Sequence, residues 1–376
     1  MLMLITLQDY SQPTGAMLHR REKAAVVGGG LSGLWISYEL VRRGYDVTLY
    51  EANSVGYGAS SRAAGIISLQ LPKSLLGYAI EGVKAYAELG VERMTKTVWI
   101  PRPEELHCIK DIISTLRLEG IDADVLRLEE LRELNLRLAG DNDLPVSIMV
   151  QGVVSPGDAL GHLTKVLADA SFTLKEGPVI RKGDRLFYNG LEVEADLKFI
   201  AAGPWTPELI GLRDNFTIYR CSAHSVRGQT PNVIVEDDIN GFYMVPEAEG
   251  QAIVGGGDSQ LVRPEDGFRL SQGEAYEVLE LAAARLPDAE NFYPVSSWAA
   301  PCISASDGMP VVGELNGYYI LAGLDGAGLT LSPGLARLVV DVAEGASKED
   351  GRLSPRRLLH GKLKGPREPF DRLCEC

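Results

Sequence analysis

This chain has little of what nucleic-acid binding, zinc binding or a membrane span requires. Its 51 acidic residues outnumber 37 basic ones, for a formal charge of −14. Such an excess excludes sequence-independent binding to phosphate backbones. No apolar run approaches the roughly 18 residues of a spanning helix. The five cysteines, Cys108, Cys221, Cys302, Cys374 and Cys376, form no Cys-x-x-Cys. No Cys/His spacing suits zinc, so no metal site is expected. Reduced, packed thiols are expected at Cys108 and Cys221, since disulfides would fit only a hyperthermophile's cytoplasm. The terminal Cys374-Glu375-Cys376 is open to pairing or to a partner contact. The first residues place a short apolar patch before their basic residues, the reverse of a secretory signal. A cytoplasmic protein is expected, with residues 1–21 an extension and Met17 an alternative start. There are no internal repeats.

What is present is the composition of an ordinary globular protein, 45% hydrophobic and 23% charged over 376 residues, enough for two domains. The most informative segment is Ala24–Ala52, which reads strand, glycine turn, helix, strand, acid. Gly28, Gly30 and Gly33 form a G-x-G-x-x-G. Gly28 allows the tight turn, Gly30 lets backbone approach a pyrophosphate, and Gly33 lets the helix sit close on the sheet. The helix start at Leu31 and Ser32 offers N–H groups to phosphates. Glu51, followed by Ala52, suits ribose hydroxyls and repels a 2′-phosphate, so FAD or NAD is favoured over NADP.

Two more turns of this kind follow. One is Ala201-Ala202-Gly203-Pro204-Trp205-Thr206, after the buried strand Leu197–Ile200. The other is Asp325-Gly326-Ala327-Gly328, between an apolar strand over Gly317–Leu324 and a helix over Thr330–Glu344. The three should converge at the carboxyl ends of one parallel sheet. Helical patterns fill Leu75–Lys96, Ile109–Leu118, Leu126–Leu138 and Gly157–Ala170. Short strands alternate over Thr173–Phe199. Strand patterns dominate Phe216–Ala300 (Thr217–Ser222, Ser225–Arg227, Asn232–Glu236, Gly241–Pro246, Gln251–Gly255), interrupted by a helix over Ser271–Leu286, which suggests an antiparallel sheet. The expectation is an α/β fold, α+β overall. A Rossmann-like nucleotide-binding domain with a parallel sheet (22–85, 145–215, 301–350) is interleaved with an antiparallel-sheet substrate domain (86–144, 216–300). In the tail 351–376, Arg352, Arg356, Arg357, Lys362, Lys364, Arg367 and Arg372 outnumber the acids. It reads as a solvated tail, or as a strip for an acidic partner or an anionic membrane surface.

The chain resembles the FAD-dependent amine oxidoreductases of the D-amino-acid oxidase, glycine oxidase and sarcosine oxidase type, and is nearest to dye-linked D-amino-acid or proline dehydrogenases. The resemblance runs from about Lys23 to Ala343. It rests on ordered blocks: GGGLSG…E, GASSRAAGI, VVSPGDAL, AAGPWT, VRGQ, GFYMVP…GQAIVGGGD, WAAPCISASDGMPVVGE and YYILAGLDGAGLTLSPG. It implies FAD along Gly28–Gly33 and Glu51, with Ser60, Ser61, Arg62, Ala64, Gly65 and Ile66 beside pyrophosphate and flavin. Val179, Ala202, Gly203, Trp205 and Arg227 complete the cofactor contacts. Asp325, Gly326, Ala327, Gly328, Leu329 and Thr330 lie at a helix start aimed at the flavin pyrimidine ring, where a positive helix end favours reduced flavin. The implied reaction is hydride transfer from an amine's α-carbon to flavin N5. No acid/base residue is demanded when the substrate binds as free amine, so catalysis is mainly orientation. Electrons then pass to a dye, a quinone or a protein. Oxygen as acceptor, or a non-catalytic FAD-holding subunit, are the alternatives.

The resemblance also marks departures. Relatives bind the substrate carboxylate with an Arg at the position of Cys302 or a Lys at that of Thr330, and both cations are absent here. A dry carboxylate without a cation is costly, so Arg220 or Arg227 substitutes or the substrate is not a plain amino acid. Tyr243 matches a substrate-contacting tyrosine. His224 reads as structural. Cys302, in Ala299-Ala300-Pro301-Cys302, matches a context in which relatives carry flavin as a thioether; a packed thiol is the default.

Overall fold

A computed structural model describes residues 21–359 except 135, 142, 143 and 258. The extension 1–20, Lys362 to Arg372 and the terminal Cys-Glu-Cys lie outside the described residues. Strand Lys23–Val27 buries its last four residues, the pattern of a strand covered on both faces. It lies inside a six-stranded sheet. Asp46–Glu51 and Leu197–Ile200 flank it in parallel, with Phe172–Glu176 and Tyr318–Ala322 outside them. Val311–Leu315 closes one edge antiparallel. The chain departs in opposite directions from Lys23–Val27, so a ligand crevice opens at its carboxyl end. The three glycine turns follow three adjacent strands of this sheet, as expected.

Helices Leu31–Arg42 and Gly328–Ala343 pack against each other and are tied by a Ser32 Oγ to Ser332 Oγ hydrogen bond of 2.9 Å. Helix Lys73–Leu89 packs closely on the last helix at Gly82, where a Cβ would stand 2.1 Å from the Thr330 carbonyl oxygen. Helix Pro156–Ala168 starts on a Ser155 cap, with Pro156 in its first turn.

The second sheet has nine strands. Phe216–Arg227 pairs antiparallel along its length with Tyr293–Ala305 and partly with Gln251–Gly256. Phe242–Ala248 and Ile234–Asp237 follow, then Glu92–Ile100, Pro145–Val154 and Ala123–Arg127. The junction of Ile234–Asp237 with Glu92–Ile100 is parallel.

Several expectations need correcting. The helix expected over Leu75–Lys96 ends at Leu89. Gly90, at φ 68°, terminates it in the left-handed conformation, and Glu92–Ile100 is a strand. The helix expected over Leu126–Leu138 is instead the end of strand Ala123–Arg127 and a 3₁₀ turn over Leu128–Leu134. Pairing with Pro145–Val154 overrides the local helical periodicity. The patterns at Thr217–Ser222 and Ser225–Arg227 form one strand, irregular between Ser225 and Val226. Pro145–Val154, grouped by sequence with the nucleotide-binding segments, pairs into the second sheet. Cys108 is disulfide-bonded rather than a free thiol. The start of the basic tail packs on the body: Leu353 and Leu358 are buried, and Arg356 and Arg357 pair with Glu314 and Asp307. No helix among the described residues is long and apolar enough to cross a membrane.

One buried ion pair supports the turn beside the cavity. Arg285 Nε donates to Asp237 Oδ2 at 2.6 Å, and Asp237 Oδ1 also accepts the Ile239 and Asn240 N–H groups. Both side chains are nearly closed to solvent. Arg285→Met leaves a buried carboxylate without its cation and should cost about 3–5 kcal/mol of stability, measured by urea unfolding followed by tryptophan fluorescence.

Candidate active site

The three turns and the second sheet enclose one cavity of about 1780 Å³, larger than the roughly 300–1,000 Å³ of a single small-ligand pocket. Its floor is backbone. Gly28 has φ 112°, and a Cβ there would lie 2.3 Å from the Ala201 carbonyl oxygen of the neighbouring turn. A Cβ on Gly33 would fall 1.8 Å from the Gly28 oxygen. Gly28 therefore permits turn-on-turn contact, and Gly33 lets the helix start sit on that turn. Gly30 caps the helix without a side chain. Ser60 Oγ accepts the Leu31 N–H at 3.0 Å. No other N–H of that first turn has a side-chain acceptor among the described residues, which leaves them for phosphate. Glu51 Oε2 accepts the Gly29 N–H at 2.7 Å and Oε1 that of Asn53 at 2.8 Å, so this acid shapes the glycine loop. These features fit a dinucleotide.

The structure gathers most of the expected cofactor residues around this space. Gly28, Gly30, Leu31, Ser32, Glu51, Ala52, Ser60, Arg62, Ala64, Gly65, Ile66, Val179, Ala202, Gly203 and Trp205 line it, as does Asp325 to Thr330. Gly33, Ser61 and Arg227 are not among the lining residues. Gly33 lies beneath the turn, and Ser61 donates its N–H to the Gly56 carbonyl. Arg227 is exposed at the end of its strand, opposite Tyr293, four positions beyond Ala223, the last residue of that strand to line the cavity. The last helix starts at Ala327 without a side-chain cap, after Asp325 and Gly326 at φ 47° and 77°.

The side facing away from the glycine floor is a cluster of side chains. Tyr219 donates to Asp325 Oδ1 at 2.5 Å and stands opposite Cys302 in register. Cys302 and Cys221 are both free and line the cavity. The hydrogen bond between these thiols, together with burial, pushes the Cys221 thiol well up. Burial also raises the Tyr243 phenol, keeping it neutral. Glu236 lies opposite Tyr243 on the adjoining strand. Gln70 and Gln151 donate to its Oε1 at 3.0 and 2.9 Å, and burial pushes its carboxyl up to about 7. Asp238, bonded by Trp99 Nε1 at 2.6 Å, is pushed up to about 6, chiefly by burial.

Sequence reasoning offered Arg220 as a substitute cation. Arg220 lines the cavity, but its guanidinium is bonded to Glu274 at 2.9 Å, to Ser271 and to the Arg269 carbonyl. Its charge is matched within the protein. Thr330 Oγ1 accepts the Ser68 N–H at 2.8 Å and so holds a loop. His224 is buried, with Nδ1 on Ser297, and burial lowers its pKa. Glu236, Gln70, Gln151 and Tyr219 were missed. The available signal for Glu236 was an acid closing the apolar run Val233-Ile234-Val235.

Comparison with known proteins agrees with this geometry. The FAD dependent oxidoreductase family (DAO) matches residues 23–342. The chain belongs to that family. It is therefore an FAD-dependent oxidoreductase. It is 28% identical over 362 residues to the glycine oxidase of Geobacillus kaustophilus, covering 87% of this chain and 94% of the relative. The glycine oxidase of Pseudomonas aeruginosa is 25% identical over 369 residues, covering 86% and 95%. The crystal structure of the Geobacillus enzyme superposes with a TM-score of 0.73 at 26% identity, covering 88% of this chain and 96% of that one. L-Proline dehydrogenase from P. horikoshii shares the fold with a TM-score of 0.79 at 20% identity, covering 92% and 99%. In this family member Gly28–Gly33 and Glu51 would hold the adenosine and pyrophosphate of FAD, with the last helix start at the flavin end.

Gly33→Ala should drive its methyl into the Gly28 carbonyl and displace the phosphate turn. The purified variant should be colourless while the wild type is yellow, read as the ratio of visible to 280 nm absorbance.

Proposed function

We propose that this flavoenzyme oxidises a small amine or amino acid, a D-amino acid or proline-like imino acid, at the carbon bearing nitrogen. Electrons then pass to a dye, a quinone or a protein acceptor. The observation that carries the reading is the joining of two surfaces in one cavity: a backbone floor fit for FAD and a wall of titratable and thiol groups. The glycine oxidases it resembles oxidise an amine by name, which supports nitrogen next to the reacting carbon. Bound FAD would supply the hydride acceptor. The chain supplies orientation and dryness. Tyr243 stays neutral and offers a hydroxyl to the substrate, while the Asp325–Tyr219 bond fixes the wall to the last helix start. The excess of basic residues after Leu359 supports a macromolecular or membrane-borne acceptor, and the resemblance to oxidases supports oxygen as the second reading.

Anaerobic addition of D- and L-amino acids, proline and simple amines should bleach the flavin bands with at least one compound. Under air, slow peroxide release with fast dye reduction is the expected result. Fast peroxide release would make the protein an oxidase, and a yellow protein that no amine bleaches would make it an FAD-holding subunit.

A further inference from the structure

The cavity is rich in acids, and the cations that line it are engaged. Arg220 pairs with Glu274 and Arg181 with Asp184. Arg62 is bonded to the Tyr57 and Gly58 carbonyls and stacked over Phe268. Arg102 bonds the Asp238 carbonyl. Glu236 differs from the acids that these arginines hold. Both amide donors, Gln70 and Gln151, go to Oε1. Oε2 has no hydrogen-bond partner among the described residues, and it is not sealed within protein. It opens on the cavity that Glu236 lines. A carboxylate oxygen unpaired in a space withdrawn from bulk water is costly, and the ligand that relieves the cost is a cation with N–H groups.

We propose that Glu236 is the ammonium acceptor of the substrate site, selecting small primary or secondary amines by their protonated nitrogen rather than by a carboxylate. This rests on the amine reading above. Oε2 first accepts a hydrogen bond from the bound ammonium and then its proton. One N–H bond breaks and one O–H bond forms, leaving a neutral amine and a carboxylic acid, with no electrons transferred. The lone pair so freed on nitrogen is what the adjacent carbon needs before it can give up hydride. The vacancies at Cys302 and Thr330 then follow, because recognition has moved from the acid end of the substrate to its nitrogen.

The groups around Glu236 fix the sign of the pH dependence. Tyr243 faces it from one neighbouring strand and Trp99 from the other, with Gln151 and Gln70 beyond. Asp238 lies on the following turn, itself near Arg102 and Glu105. Cys221 and Cys302 stand near Tyr243. Burial and Asp238 raise the Glu236 pKa to about 7, against the two amides that lower it. The carboxylate therefore forms above about pH 7, and ammonium binding strengthens as pH rises through that value.

The test uses the FAD-loaded full chain and two probes. Pyrrolidine carries the ammonium without a carboxylate, and tetrahydro-2-furoate carries the carboxylate without nitrogen. Binding is read from perturbation of the visible flavin bands. Pyrrolidine should bind about tenfold more tightly at pH 8 than at pH 6, and tetrahydro-2-furoate should not bind. Glu236→Gln should remove both the tight binding and its pH dependence at unchanged FAD content, and Glu236→Asp should restore the pH dependence. Should the Gln variant fail to hold FAD, the wild-type pH profile and the Asp variant decide. Binding of tetrahydro-2-furoate but not pyrrolidine would overturn the proposal, as would unaltered pyrrolidine binding in Glu236→Gln. Pyrrolidine binding as described, with no amine reducing the flavin, would keep the ammonium site and remove the oxidation reading.

Discussion

The contact on which the site depends is backbone on backbone. The turn at Gly28 lies against the carbonyl of Ala201 with no room for a side chain, and Gly33 is pressed on Gly28 in turn. These contacts bring the ends of adjacent parallel strands close enough for their turns to make one floor. Through the Ser32–Ser332 bond the last helix is held to the first. A floor of this kind presents N–H groups and helix ends rather than side chains, which suits an anionic dinucleotide.

That floor was legible in the sequence because its demands are local. A glycine at a fixed offset between an apolar strand and a helix can be recognised without knowing what it touches. The strands of the second sheet were largely legible for the same reason, since period-two patterning is local. Sequence reading failed where long-range pairing decided the outcome. The amphipathic run at Leu126–Leu138 had a helical period, yet its first residues were captured by Pro145–Val154. Gly90 was the only mark of the break between helix and strand after Leu89.

The wall was less legible because a residue's identity does not give its charge balance. Arg220 and Arg227 lie on one strand and looked alike in sequence. In the fold the first reaches the cavity but gives its charge to Glu274, a residue 54 positions away, and the second ends in solvent. A paired cation in a low-dielectric site has little field left to offer a ligand. The informative group was Glu236, an unremarked acid made unusual by two glutamines from distant segments. Its raised pKa comes from burial, which no spacing encodes.

The two surfaces also divide the chemistry between them. Backbone amides and helix ends bind phosphate whatever substrate is beside it, so the floor confers cofactor binding without substrate choice. Choice must come from side chains on the second sheet, which therefore has to be placed accurately against the flavin end. The bond from Tyr219 to Asp325 joins a strand of that sheet directly to the turn before the last helix. From that strand the pairing runs through Gln251–Gly256 and Phe242–Ala248 to Ile234–Asp237, where Tyr243 faces Glu236. A one-residue slip of Phe216–Arg227 would turn Tyr219 away from Asp325, and a slip of Ile234–Asp237 would turn Glu236 away from the cavity. The tie to the last helix start and the wall around Glu236 are thus both set by strand pairing within one sheet.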